Sequence, residues 1–139
     1  MKLIEPKPFD IEAFWAVVGD GRTMRKYSQD HVIFAQGDSA DSVFYLQRGQ
    51  VKIAVVSPRG KEGVIAVLGD GCFFGEGCLA GQEVRIATAV AITDCSVVQM
   101  TKEAMARVLH AEPEFSDMLI THLLTRNIRI EEDLIDHLF

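Results

Sequence analysis

The segment 69–91, GDGCFFGEGCLAGQEVRIATAVA, concentrates the side chains best suited to chemistry. Glu76 stands between Gly75 and Gly77, directly after Phe73-Phe74. Arg85 follows nine residues later among Val84, Ile86, Ala87, Ala89 and Val90. A carboxylate and a guanidinium in apolar surroundings must either pair with each other or bind something, because an uncompensated buried charge is costly. Between them, Gly77-Cys78-Leu79-Ala80-Gly81 is long enough for one helical turn. Free N–H groups at the start of a turn attract anions, and a nearby arginine adds a two-pronged charge. The combination suits a phosphate, with Glu76 accepting from a neighbouring hydroxyl. A structural Glu76–Arg85 pair that ties two loops together fits the same spacing, and spacing alone does not separate the two.

Other chemistries find less support. Cys72, Cys78 and Cys95 are odd in number and lack metal-ligand spacing, so free thiols in a reducing cytoplasm are expected. Cys78 is expected to be structural, with a redox-responsive sensor as the alternative it keeps open. His31, His110, His122 and His137 are scattered, and His122 and His137 are expected on the surface of a helix. A metal-dependent β-barrel enzyme needs clustered histidines and a carboxylate, and no nucleophile–base pair is recognisable. The chain is therefore expected to be non-enzymatic, with no metal and no required cofactor.

These residues need a scaffold, and the texture of the chain suggests one. Residues 9–18 read as a short helix, with Phe9 apolar before an Asp10 N-cap and Gly19-Asp20-Gly21 ending it. From about Tyr27 to Thr101, β-rich runs alternate with Gly/Pro/Asp turns. The runs are 31–35, 42–47, 51–56, 63–68, 72–74, 84–92 and 95–100. Short strands at this spacing predict an antiparallel sandwich or barrel. Thr101-Lys102-Glu103-Ala104 then starts a helix to about His110, and Pro113 opens a long one to the C-terminus. At ~1.5 Å per residue its roughly 26 residues would span about 39 Å.

The 139 residues suit one domain with a core that needs no staple, and 48% hydrophobic with 24% charged residues is a globular composition. The formal charge is −6, from 14 basic and 20 acidic side chains. Residues 112–139 hold seven acids and two bases, which leaves the other 111 residues at −1. An acidic chain does not by itself grip DNA or an anionic membrane through a basic surface. No apolar run reaches the roughly 18 residues of a membrane span, and no signal peptide is visible.

The order of motifs resembles the cyclic nucleotide-binding domain of the cyclic AMP receptor protein and fumarate–nitrate regulator (Crp/Fnr) family. The resemblance rests on Ile33-Phe34-Ala35-Gln36-Gly37-Asp38 with Ala40-Asp41, then Phe44-Tyr45-Leu46 and Gly49-Gln50-Val51-Lys52. It continues through Gly69-Asp70 and Phe74-Gly75-Glu76 to Arg85 and Ala87. It implies a mainly β fold: an eight-stranded β-roll (a double-stranded, jelly-roll-like β-helix) flanked by a short N-terminal helix and a long C-terminal one. It further implies that the cassette from Phe74 to Ala87, including Gly77, Cys78 and Leu79, cradles the phosphate of a cyclic nucleotide, cAMP or cGMP. Glu76 would meet the ribose hydroxyl, Arg85 the phosphate, and the N–H groups from Gly75 onward would assist. Ile86 stands where members that bind cyclic AMP often carry Ser or Thr, which removes one hydroxyl contact.

On a wheel of ~100° per residue with Leu123 at zero, Leu123, Ile130, Leu134 and Leu138 fall from about 340° to 60°. Ile120, Leu124, Ile128 and Ile135 fall from about 60° to 140°. This arc is wide enough to cover the β-body and also a second copy of the helix, as in a two-fold homodimer. Asn127 and Glu131 interrupt it, either as half-exposed or register-setting residues or at the ligand. Arg126, near 300°, is expected to be solvated or ion-paired. By the resemblance, Ile130 and Glu131 occupy the positions of two hydroxyl residues that contact adenine in the family, so base preference is altered or nucleotide response lost. Residues 1–112 are thus expected to form the sensor body and 113–139 the dimerisation and transmission helix. No helix-turn-helix follows, so the chain is read as a sensor cut from a longer regulator or as a stand-alone homologue. DNA would be reached only through such a missing domain. A ligand-free dimerisation module is the remaining alternative.

Overall fold

A computed structural model describes residues 2–6 and 10–139. Phe9 lies outside the described residues. Asp10 does cap the first helix, accepting from Ala13 N–H at 3.1 Å. The strands are β1 (Leu3–Ile4), β2 (Arg22–Tyr27), β3 (Val32–Phe34), β4 (Ser42–Arg48), β5 (Val51–Val56), β6 (Glu62–Leu68), β7 (Phe73–Phe74), β8 (Thr88–Ala91) and β9 (Cys95–Thr101). The helices are α1 (Ile11–Val18), α2 (Lys102–Ala111) and α3 (Pro113–Leu138). Short 3-10 turns occupy Gly19–Gly21 and Glu76–Ala80.

Two sheets face each other, in the orders β1-β6-β5-β8-β3 and β2-β9-β4-β7. All pairings are antiparallel except β1 with β6. The β-roll with flanking helices expected from the sequence is therefore present. Two strands went unread. β2, RTMRKY, is almost wholly exposed and carries none of the alternation that marks a half-buried strand. Its charges suit an edge strand that must not recruit other chains. β1 is two residues long, and only β6 gives it a partner. The run 84–92 forms a strand only over Thr88–Ala91, because the backbone of residues 83–85 is strapped instead to the loop 37–40.

The core has two layers. Phe44, Leu46, Phe74, Ala89, Ala91 and Val97 fill the space between the sheets. Phe14, Val43, Tyr45, Phe73, Val98, Met100, Met105 and Leu119 join the second sheet to the helices. β4 alternates between these layers, which is why five consecutive residues of a single strand are buried. β7 does the same in two residues: Phe73 faces the helices and Phe74 the sheet interior.

α3 docks on a face that differs from the expected one. Leu119 and His122 are its buried residues, with Phe115, Met118 and Leu123 packed beside them. On the same wheel the docked face runs from about 220° to 360°, with Arg126 inside it. Most of the predicted apolar arc is in solvent: Ile120, Leu124, Ile128, Leu134, Ile135 and Leu138 are each more than half exposed. The placement of His122 on the surface is thus corrected; it is 9% exposed. His137 is exposed, as expected.

Candidate functional site

The cassette hangs between β7 and β8 and is held from three sides. Arg85 N–H donates to Asp38 C=O and Gly37 N–H to Arg85 C=O, both at 2.8 Å. Asp38 closes its own turn by accepting from Ala35 N–H at 2.9 Å. Gly75 turns the chain out of β7 in the left-handed region, φ 75°, where a side chain is strained. A Cβ there would lie 3.0 Å from Arg85 Nη1 and 3.1 Å from the Phe44 ring, so the position has no room for one.

Arg85 is folded inward and is 4% exposed. Its Nη1 donates to Gly75 C=O at 2.7 Å and its Nη2 to Ser42 C=O at 2.6 Å. The guanidinium carbon lies 4.4 Å from the Phe34 ring centre and 5.6 Å from that of Phe44, a cation–π setting. Nε is buried and unpartnered. Among the described residues no carboxylate lies within ion-pair distance of Arg85. Burial lowers its pKa from the ordinary value, opposed by more distant charges.

Glu76 does not pair with Arg85, so the structural pair read as an alternative is absent. Its partner is Arg126 of α3, in a two-pronged bond of 2.8 Å (Nη1–Oε1) and 3.0 Å (Nη2–Oε2). The side chains are 23% and 13% exposed respectively. Burial pushes the Glu76 carboxyl up, but the hydrogen bonds and charge of Arg126 outweigh it and hold the pKa below the ordinary value. Arg126 Nη1 also donates to Phe73 C=O at 3.1 Å, and Nη2 to Asn127 Oδ1 at 3.3 Å. One turn earlier, His122 Nε2 accepts from Phe73 N–H at 3.1 Å.

These groups border a cavity of about 350 Å3. Of the residues singled out in sequence, Phe74, Gly75, Glu76, Gly77, Arg85, Ile86, Ala87, Asn127 and Ile130 line it. Three do not. Cys78 is fully buried behind the turn, Leu79 packs into the helix-side core, and Glu131 is exposed. Phe34, Ile53, Ile65, Ala66, Leu68, Gln82 and Arg126 complete the wall. The volume lies in the roughly 300–1,000 Å3 range of small-molecule sites, and an apolar wall with a few convergent polar groups is their usual make-up. Burial raises the Cys78 pKa despite nearby Arg85, which disfavours the thiolate form. Among the described residues no group of three or more His, Cys, Asp or Glu could hold a metal, and no helix is long and apolar enough to cross a membrane.

Among the polar groups on α3, sequence reasoning left His122 and Arg126 out of the site, though the ion-paired alternative for Arg126 is the one found. Phe115, Leu119, His122, Arg126 and Ile130 follow spacings of four, three, four and four. A search for that stripe irrespective of polarity would have found the docked face.

The profile described as Cyclic nucleotide-binding domain matches residues 24–112, well over half of the chain. The chain belongs to that family. As a cyclic nucleotide-binding domain it has relatives among CRP-like regulators. It is 29% identical over 113 residues to the CRP-like cAMP-activated global transcriptional regulator of Mycobacterium tuberculosis, covering 81% of this domain and 50% of that protein. It is 33% identical over 110 residues to the cyclic AMP receptor protein of Thermus thermophilus, covering 79% and 50%. The solved Thermus thermophilus catabolite activator protein superposes with a TM-score of 0.74 at 28% identity, over 94% of this domain and 60% of that chain. The domain therefore spans about half the length of the curated relatives it matches.

Proposed function

We propose that this domain is the ligand sensor of a Crp/Fnr-like transcriptional regulator and binds a cyclic nucleotide in the cavity beside Glu76 and Arg85. The observation that carries this reading is Arg85: a buried cation with no carboxylate partner and an orphan Nε, on the wall of a ligand-sized cavity. Such a group calls for an anion, and a cyclic phosphate supplies one without bringing a second cation. Glu76 is already held by Arg126, yet a carboxylate offers about four lone-pair directions. Two serve Arg126, so a ribose hydroxyl can still donate to Glu76. That hydroxyl, Glu76 and Arg126 would then form one chain of bonds from ligand to α3.

The base end is apolar, with Ile53, Ile65, Ile86 and Ile130, and Asn127 is its polar group from α3. Glu131 lies on the exposed stripe and would meet a nucleotide only across a pair of α3 helices. That pair is the second part of the proposal: Ile120, Leu124, Ile128 and Ile135 form an unpartnered apolar stripe, and a homodimer buries it. DNA would be reached through a further domain, as the regulatory names of the relatives suggest, and the protein would work in the cytoplasm without catalysis.

Calorimetry with cyclic AMP and cyclic GMP up to millimolar concentration tests the ligand. Heat of binding with either supports the reading; none with both removes it. Ile128→Glu tests the dimer. Sedimentation should show the wild type at twice the mass of the variant, with the circular dichroism of both unchanged. A monomeric wild type would reject the paired helix.

A further inference from the structure

β7 is the last strand of its sheet, beyond β4. Cys72 C=O turns toward β4 and accepts from Leu46 N–H at 2.8 Å. Backbone groups alternate along a strand, so the N–H and C=O of Phe73 face outward, toward α3. A buried backbone group needs a partner. Here two α3 side chains one turn apart supply both: His122 Nε2 takes the N–H at 3.1 Å and Arg126 Nη1 donates to the C=O at 3.1 Å. The pair imitates the edge of a further strand. Both bonds form at the rotation and height that α3 takes on β7. The His122 ring also stands edge-on to the Phe73 ring, at 5.4 Å and 88°.

We propose that His122 is a positioning residue: by accepting from Phe73 N–H it fixes the register of α3 on β7, and so places Arg126 to hold Glu76 at the ligand cavity. The role requires an unprotonated Nε2 and therefore the proton on Nδ1. The surroundings keep the ring in that neutral form. Burial, then the Arg126 charge, push its pKa down to about 4, and Glu76 only partly opposes them. The consequence for ligand affinity rests on the nucleotide reading above; the register does not.

The experiment uses the full chain, labelled with nitrogen-15, without ligand and then with cyclic AMP. In the wild type, the His122 nitrogen shifts at pH 7 should report Nδ1–H and a bare Nε2. A protonated Nε2 overturns the proposal without any variant. His122→Leu should speed hydrogen exchange at the Phe73 amide about ten-fold, the scale of one lost hydrogen bond. His122→Gln, whose side-chain carbonyl can accept, should restore protection. Equal exchange at Phe73 in the wild type and His122→Leu, or a folded His122→Gln no better protected than His122→Leu, would refute it. With cyclic AMP, His122→Leu should weaken binding about ten-fold and His122→Gln by far less. Binding equal in all three would overturn the link to Glu76. Should the wild type bind no nucleotide, the functional reading fails, while tautomer and exchange still decide the register.

Discussion

Arg85→Ala should weaken cyclic nucleotide binding by about 100-fold or more, measured by calorimetry. The basis is the loss of charge-assisted hydrogen bonds worth about 1.5–3 kcal/mol each. It should also cost stability. Gly75 C=O and Ser42 C=O would lose their guanidinium donors and keep only the weak Cys78 thiol, at up to roughly 1–3 kcal/mol per poorly satisfied buried group, less the relief of removing a desolvated charge. Arg85→Lys separates the two effects. An ammonium keeps the charge but cannot reach Gly75, Ser42 and an anion in one plane. It should recover part of the stability and little of the affinity. Full affinity in Arg85→Ala would remove Arg85 from the site and leave its burial purely structural.

Arg126→Met should destabilise the domain by about 3 kcal/mol in chemical denaturation, because removing one partner strands the other as a partly buried charge. Glu76→Gln with Arg126→Met should recover much of the loss, since no carboxylate then lacks a partner. The pH dependence carries the same pair. Glu76 has a folded pKa below its ordinary 4.5, so its contribution is complete above that value and disappears as pH falls through the folded one. His122 acts in the same direction at higher pH. Its pKa falls from 6.5 to about 4 on folding, so the unfolded chain binds the proton more tightly across that interval. Stability should therefore decline from pH 6.5 to pH 4, by up to about 3 kcal/mol from this ring at ~1.4 kcal/mol per unit. His122→Gln should flatten that interval. A wild type with constant stability from pH 7 to 4 would contradict a buried neutral His122.

The legible parts of this chain are those whose signal is local. Thr101 and Asp10 cap helices because a short side-chain oxygen beside a free N–H works within three residues. Pro113 opens α3, and the helix runs to Leu138 much as its length suggested. The Gly-rich cassette and its two charges were likewise visible in one stretch. Their partners were not. Glu76 and Arg126 are fifty residues apart, and nothing near either names the other. The wheel misplaced α3 because it weighs only apolarity. The docked face contains His122 and Arg126, each of which bonds a strand edge that no helical pattern reveals.

Sequence by itself settled the family, the order of elements and the presence of a carboxylate and a guanidinium at one loop. Motif order, capping and turn chemistry all act over short range, so one chain suffices to read them. Tertiary structure alone decided which charge meets which. It turned Arg85 into an unpaired buried cation, gave Glu76 to α3, and placed Cys78, Leu79 and Glu131 away from the cavity. Those outcomes depend on which face of α3 meets β7. At Phe73 that face meets backbone groups, and a backbone group looks the same at every position of a sequence.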